Sequence, residues 1–515
     1  MRVNNSIRNV ITALIGQGLG IILSFIGRGV FINTLGMEYL GINGLFTNVL
    51  SILSLAEMGV GTAIIYSLYS PLAHGDKRQV RALMTFYEQV YRTIGVTIFI
   101  LGIALVPFLK YIIKGQPDIP YLYLIYLLFL INTVVSYFFA YKRSLIIADQ
   151  KNYIATMYRY GFYIVLNVCQ IILLLTTKSF IGFLIVQISV TILENLMIAN
   201  KANKMYPFLR DKTKIKLGIE SRKEITKNVK ALLCHKIGWI VVSGTDNIII
   251  SSFLGVYWVG LYSNYYLVTN ALNIVIGQIF NALTASVGNL NALESKEKTY
   301  NVYKKILFAN FWIVGFSSVC LISLFNLFIG VWLGEEYIFE SNVVLVIVIN
   351  FYISMVRKAT LVYKDAMGLF WYDRYKPLFE AGINMVISII LVPKLGIIGV
   401  FIGTLISTIT TAFWIEPYVL YRYGFKIKIR KYFQEYFKYT TVVLIMAIIT
   451  YQLCNIFKSI TLGNLIIRAF ICLTIPNIIF MTCFYRTDEF KYFMKILIKV
   501  ITNIFNRGMS KFNFK

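Results

Sequence analysis

Acidic residues are scarce in this chain: 23 Asp and Glu stand against 50 Lys and Arg, a formal charge of +27 over 515 residues. Charge of either sign is thin, at 14% of the sequence, while 58% is hydrophobic and the mean hydropathy is +0.70. Those values lie outside the range of a soluble domain of this length. Cysteine is nearly lacking. The six present (Cys169, Cys234, Cys320, Cys454, Cys472, Cys483) lie in hydrophobic stretches and form no C-x-x-C pair. They indicate neither a disulfide framework nor a metal site, and read as small buried hydrophobes. A nucleotide loop is lacking too, because the GQGLG run at 16–20 follows no strand and precedes no P-loop lysine. Gly16, Gly18, Gly20, Gly27 and Gly29 read instead as small residues that let a spanning helix pack closely and bend.

What the chain has is long apolar runs. A spanning helix needs roughly 20 apolar residues at about 1.5 Å each. Such runs fall near 10–35, 41–69, 84–109, 121–141, 153–176 and 179–200, then 229–254, 259–290, 306–332, 342–363, 377–393 and 396–421, and finally 436–457 and 464–485. The expectation is an all-α polytopic membrane protein with about fourteen spanning helices. The first run is too long for a signal-peptide core and lacks a small-residue cleavage pattern, so it is read as a span.

The cations test the alternative of a nucleic-acid partner. Only Lys110, Lys114, Lys178, Lys394 and Lys458 fall in the odd-numbered loops, and most of the others lie in the even-numbered loops and the tails. That asymmetry is the positive-inside pattern. It places both termini in the cytoplasm and assigns the basic charge to topology and anionic membrane lipids, with no nucleic acid.

The two blocks of six runs are similar at an offset of 219 residues. Asn9 and Val10 match Asn228 and Val229, Ser24 matches Ser243, Leu35 and Gly36 match Leu254 and Gly255, and Gly41 and Gly115 match Gly260 and Gly334. An even number of spans per block puts the pseudo-symmetry axis along the membrane normal. The expected organisation is a six-helix bundle at 1–200, a basic cytoplasmic linker at 201–228, a second bundle at 229–425, and helices 13 and 14 with a basic tail at 426–515. The two bundles are expected to face each other across a central cleft. Lys491, Lys495 and Lys499, four apart between Phe490 and Phe505, suggest that the tail is an amphipathic surface helix rather than a disordered basic extension.

Ionisable groups at membrane depth cost about 3 kcal/mol or more each and therefore mark candidate sites. Arg28 lies well inside the first span, Glu57 in the second, and His235, Lys236 and Asp246 in the seventh. An eleven-residue spacing is three helical turns to within about 20°, which puts Gln17 with Arg28 on one face and His235 with Asp246 on another. The repeat offset sets Asn247 opposite Arg28. If these faces line a cleft, Arg28 and Lys236 meet a phosphate and Asp246 orients or neutralises one of them. The structural alternative is that the charges only pair across the bundle. For Arg159 and Arg357 the choice lies between cavity lining and snorkelling to headgroups. Glu194, Glu380 and Glu416 are weaker candidates, and Arg468 belongs to the non-repeated helices.

The runs NNSIRNVITALIGQGLGIILSFIGRGVFINTLGMEYLGINGLF, SLAEMGVGTAIIYSLYSPLA and KIGWIVVSGTDNIIISSFLGVYWVGLYSNYYL, within a six-plus-six repeat with two added helices, resemble the multidrug/oligosaccharidyl-lipid/polysaccharide exporter superfamily. Within it the chain looks like the Wzx-type polysaccharide repeat-unit flippases. The resemblance implies a MATE-like fold in the bacterial cytoplasmic membrane, with no cofactor and no enzymatic activity. It implies transport of undecaprenyl-pyrophosphate-linked oligosaccharide beside a polysaccharide polymerase and assembly machinery. Related lipid flippases use an arginine in helix 1, which Arg28 matches, while their other cations find no clean match. Gln17, Asn43, Asn48, Asn247, Asn264 and Asn270 could hydrogen-bond the sugars.

Two other functions are weighed against this one. A drug or cation antiporter would place carboxylates at the cleft, which gives Glu57 and Asp246 a coupling role. A membrane glycosyltransferase or polymerase needs a substantial outer loop, and the first here is little more than Met37, Glu38 and Tyr39.

Overall fold

The structure is a computed structural model that describes residues 2–54, 60–114, 119–149, 151–210, 217–218, 225 and 244–495. Glu57, His235, Lys236 and the tail beyond residue 495 lie outside the described residues. Among the described residues the regular structure is helical and there is no strand, as backbone self-sufficiency in a bilayer requires.

The chain forms α1 (Arg2–Leu35), α2 (Met37–Leu53), α3 (Val60–His74), α4 (Lys77–Leu105), α5 (Leu122–Ala148), α6 (Asn152–Thr177) and α7 (Phe180–Met205). After α8 (244–253) come α9 (Val256–Leu293), α10 (Lys296–Trp332), α11 (Ser341–Val356), α12 (Lys358–Ala366), α13 (Lys376–Leu395), α14 (Ile397–Thr410), α15 (Ala412–Val419), α16 (Arg430–Cys454) and α17 (Leu462–Phe484). Ten helical stretches among the described residues are long and apolar enough to cross a membrane, and an eleventh if the halves of α5, bent by 47°, are one span. Three of the fourteen expected spans are outside that set. The run at 41–69 is interrupted by undescribed residues 55–59, and that at 229–254 is described only from 244. The third, 259–290, is helical throughout but carries Asn264, Asn270, Asn273 and Gln278. Large apolar side chains such as Ile100, Leu175, Ile466 and Phe470 are 60% exposed or more, the outward apolar surface of a multi-pass membrane protein.

Two compact units divide the chain: Met1–Ser263 with Ser388–Val400, and Asn264–Ile387 with Phe401–Lys515. In the first, α5 packs against α3, α4 and α7, and α1 runs along α6. Tyr160 of α6 lies so close over Gly16 that a Cβ there would come within 2.1 Å of the ring. The glycines of α1 are thus partly explained by the aromatic rungs of its neighbour.

The first unit also makes the 219-residue offset visible in space. Gly36 and Gly255 each turn the chain at positive φ, 89° and 104°, immediately before α2 and α9. Those two helices then cross reciprocally. A Cβ on Gly41 would lie 1.8 Å from the Val256 carbonyl oxygen, and one on Gly260 would lie 2.3 Å from that of Met37. Met37 and Val256 are themselves 219 apart, so the crossing is a local pseudo-two-fold in which each helix start fits against the other's glycine. Small-residue crossings of this kind are how helices associate in lipid.

In the second unit a tyrosine-rich core joins α10, α12 and α16: Tyr303, Tyr363, Tyr421 and Tyr432 are all fully buried. The helix that begins at Ser341 is broken between α11 and α12, and Asn310 Nδ2 donates to the carbonyls of Met355 and Val356 at 3.2 and 2.6 Å. A broken helix in a membrane needs such a partner for its freed carbonyls. The described start of the tail, helical over 488–495, packs rather than floats: Phe490 stacks on Trp312 and Phe493 on Phe308.

Candidate functional site

Arg28 is the centre of the candidate site. It is half-buried on α1, and its Nη1 donates to Ser263 Oγ at 2.7 Å. Ser263 in turn donates to the Gly260 carbonyl at 2.7 Å, so it accepts from the arginine while bonded to the turn that forms the glycine crossing. One turn earlier on α1, Ser24 Oγ and Tyr163 Oη are 2.8 Å apart. Asn167, a turn further along α6, has its Oδ1 3.3 Å from where a Gly27 Cβ would stand. Arg28 itself bonds a hydroxyl, while Ser24 and Gly27 of the same helix meet a tyrosine hydroxyl and an amide. Among the described residues no carboxylate pairs with Arg28.

Of the other residues singled out from sequence, Gln17 is half-buried on α1, and Asn43 and Asn48 are half-buried on α2. Asn48 Nδ2 donates to the Gly44 carbonyl of its own helix at 3.0 Å. On α8, Asp246 is buried, and the Oδ1 of half-buried Asn247 is buried without a hydrogen-bond partner. Asn264 is fully buried, Asn270 is half-buried and Arg159 is exposed. The pairing of Arg28 with Lys236, and the roles of His235 and Glu57, fall on residues that are not described.

Arg357 is neither lining a cavity as a free cation nor snorkelling. It is buried where α11 breaks, and its Nε and Nη2 donate to Glu416 Oε2 and Oε1 at 2.8 and 2.7 Å. Lys376 Nζ adds a third charged bond to the same carboxylate, whose side chain is 0% exposed. Next to it Lys364 and Asp373 form a second buried pair at 2.5 Å. Glu194 likewise pairs with Arg143. These cations are neutralised by the protein.

Sequence reasoning passed over Ser263, Tyr163 and Asn167. The signal for the last two was present: Tyr160, Tyr163, Asn167 and Gln170 recur three or four apart on an otherwise apolar helix, a polar stripe on one face. Ser263 carried none, since its repeat partner is Gly44.

No family model matches the chain, and no curated protein matches it. The fold has clear counterparts among solved structures of MOP-superfamily transporters. The lipid II flippase MurJ in an inward closed conformation aligns at TM-score 0.65 and 16% identity, over 93% of this chain and 99% of that one. A multidrug resistance MATE family transporter of the MOP superfamily, inward-facing, aligns at 0.61 and 16% identity, over 78% of this chain and 94% of that one. A MOP-superfamily transporter from Pyrococcus furiosus, described as having a binding pocket of reversed polarity, aligns at 0.53 and 16% identity, over 82% and 96%. These counterparts are described as transporters and a flippase.

Proposed function

We propose that this protein is a flippase for undecaprenyl-pyrophosphate-linked oligosaccharide repeat units, acting in the bacterial cytoplasmic membrane with both termini cytoplasmic, for surface polysaccharide assembly. The observation that carries the reading is Arg28. It is a guanidinium inside a spanning helix, held by a serine hydroxyl, with a tyrosine and an amide against its helix neighbours Ser24 and Gly27 and no carboxylate partner among the described residues. A cation left unneutralised at that depth is costly unless an anion visits it. A pyrophosphate accepts several charge-assisted bonds from a guanidinium fork, and the amides and hydroxyls around it suit sugars. The lipid II flippase counterpart shows that this fold can serve a lipid-linked substrate in another protein. A proton-coupled antiporter would instead rest on a carboxylate such as Glu57 or Asp246.

The test is genetic and chemical. Deleting the gene in its host should accumulate completed lipid-linked repeat units, quantified by mass spectrometry, and the native gene should clear them. Arg28→Ala at equal membrane level should not. Clearance by both versions would leave the flippase reading standing and make Arg28 structural. Absence of any accumulation, with surface polysaccharide intact, would overturn the carbohydrate reading and bring the antiporter forward.

A further inference from the structure

The second unit holds another cationic constellation, unrelated to Arg28. Helices α10, α11, α16 and α17 line a half-open cavity of about 620 Å³, the size of pocket that takes a drug-sized group. Lys458 and Arg468 line it, and no Asp or Glu does. Arg468 sits six residues into α17, about 9 Å from the helix end. Its Nε and Nη2 donate to the Phe457 carbonyl at 2.9 and 2.6 Å, and its Nη1 donates to that of Ser323 at 3.2 Å. Neutral carbonyls therefore fix the guanidinium in place without cancelling its charge. Lys458, exposed in the connection between α16 and α17, forms no ion pair among the described residues.

The polarity of the cavity is graded along its length. Its cationic mouth, with Asn455 and Asn342, lies where α16 ends and α11 and α17 begin, the level of a membrane interface. Its inner wall is Leu345, Leu444 and Ile448, each 47% exposed or more, with Leu444 ten residues, about 15 Å, from the end of α16. A site that is cationic at headgroup depth and apolar below it matches an amphiphile with an anionic head.

We infer that this cavity binds one anionic phospholipid of the adjoining leaflet, its phosphate between Lys458 and Arg468 and one acyl chain along Leu345, Ile448 and Leu444. Both cations of the site come from the last two helices and their connection, outside the repeated blocks, and the site stands whatever substrate is transported.

Native mass spectrometry of the full-length protein, released from phosphatidylcholine nanodiscs with graded phosphatidylglycerol, tests this directly. The expected result is one phosphatidylglycerol retained in preference to phosphatidylcholine. Removing one charge should weaken that retention about fivefold in Lys458→Gln and by a similar factor in Arg468→Gln, while the exposed Lys426→Gln on another loop leaves it unchanged. Among the described residues Lys458 bonds no other side chain, so its variant reports on binding even if Arg468→Gln folds poorly. Retention indifferent to headgroup charge, or equal in Lys458→Gln and native protein, would overturn the inference. Displacement of phosphatidylglycerol by an equal mole fraction of undecaprenyl pyrophosphate would also overturn it, and would hand the cavity to a transported lipid.

Discussion

Arg28 and Arg357 are both arginines in membrane-spanning helices, and the protein treats them in opposite ways. Arg357 is held through two bonds along one edge of its guanidinium by a fully buried Glu416 that also holds Lys376. Arg28 meets one serine hydroxyl, with a tyrosine and an amide close by. In the sequence both are cations in apolar runs, Arg28 deep in the first and Arg357 at a place where snorkelling competes with cavity lining. The difference teaches that a buried charge is a functional candidate in proportion to what the fold leaves uncancelled, since a neutralised pair serves packing and an unneutralised one awaits a ligand.

That comparison can be broken at several points. The largest effect is expected at Glu416→Gln, which removes the carboxylate that Arg357 and Lys376 both bond; breaking a buried pair costs about 3–5 kcal/mol, read as a lowered thermal midpoint of the purified protein. Arg28→Ala should leave that midpoint in place and weaken binding of a pyrophosphate-linked lipid by about 1.5–3 kcal/mol, the worth of a charged hydrogen bond. If Arg28→Ala destabilised the protein as much as Glu416→Gln does, the distinction between the two arginines would collapse. Gly41→Leu and Gly260→Leu probe the reciprocal crossing, where forced overpacking costs about 1–3 kcal/mol. Because a Cβ on either glycine would stand within 3.2 Å of the other's backbone nitrogen, the two losses should be equal, and clearly unequal thermal midpoints would argue against the symmetry. The smallest effect belongs to Ser263→Ala, which removes one hydrogen bond worth about 0.5–1.5 kcal/mol and should change lipid affinity far less than Arg28→Ala.

Much of this architecture was legible in the residues. Apolar runs of about 20 residues announce helices because a bilayer admits little else, and the recurrence of Gly36 and Gly41 at Gly255 and Gly260 marked in advance the positions where α2 and α9 meet. The ion pair of Arg357 with Glu416 was not legible, because its partners are 59 residues apart and nothing local says which carboxylate a buried cation will find. Arg357 therefore read as a free cation and Glu416 as a weak candidate. Ser263 was equally hidden, since a serine in a spanning helix usually bonds back to its own turn, and only the crossing brings it to Arg28. The break at Val356 escaped notice for a different reason: no proline or glycine marks it, and the residue that satisfies its carbonyls, Asn310, belongs to another helix.

The central claim is that Arg28 is held ready for an anionic lipid headgroup. Its most direct test is the affinity of the purified protein for an undecaprenyl-pyrophosphate-linked oligosaccharide, measured for native protein, Arg28→Ala and Arg28→Lys in the same nanodiscs. The account predicts tight binding by the native protein, partial retention by Arg28→Lys, which keeps the charge but loses the fork, and a loss of about tenfold or more in Arg28→Ala. Equal affinity in all three would contradict it and return Arg28 to a packing role.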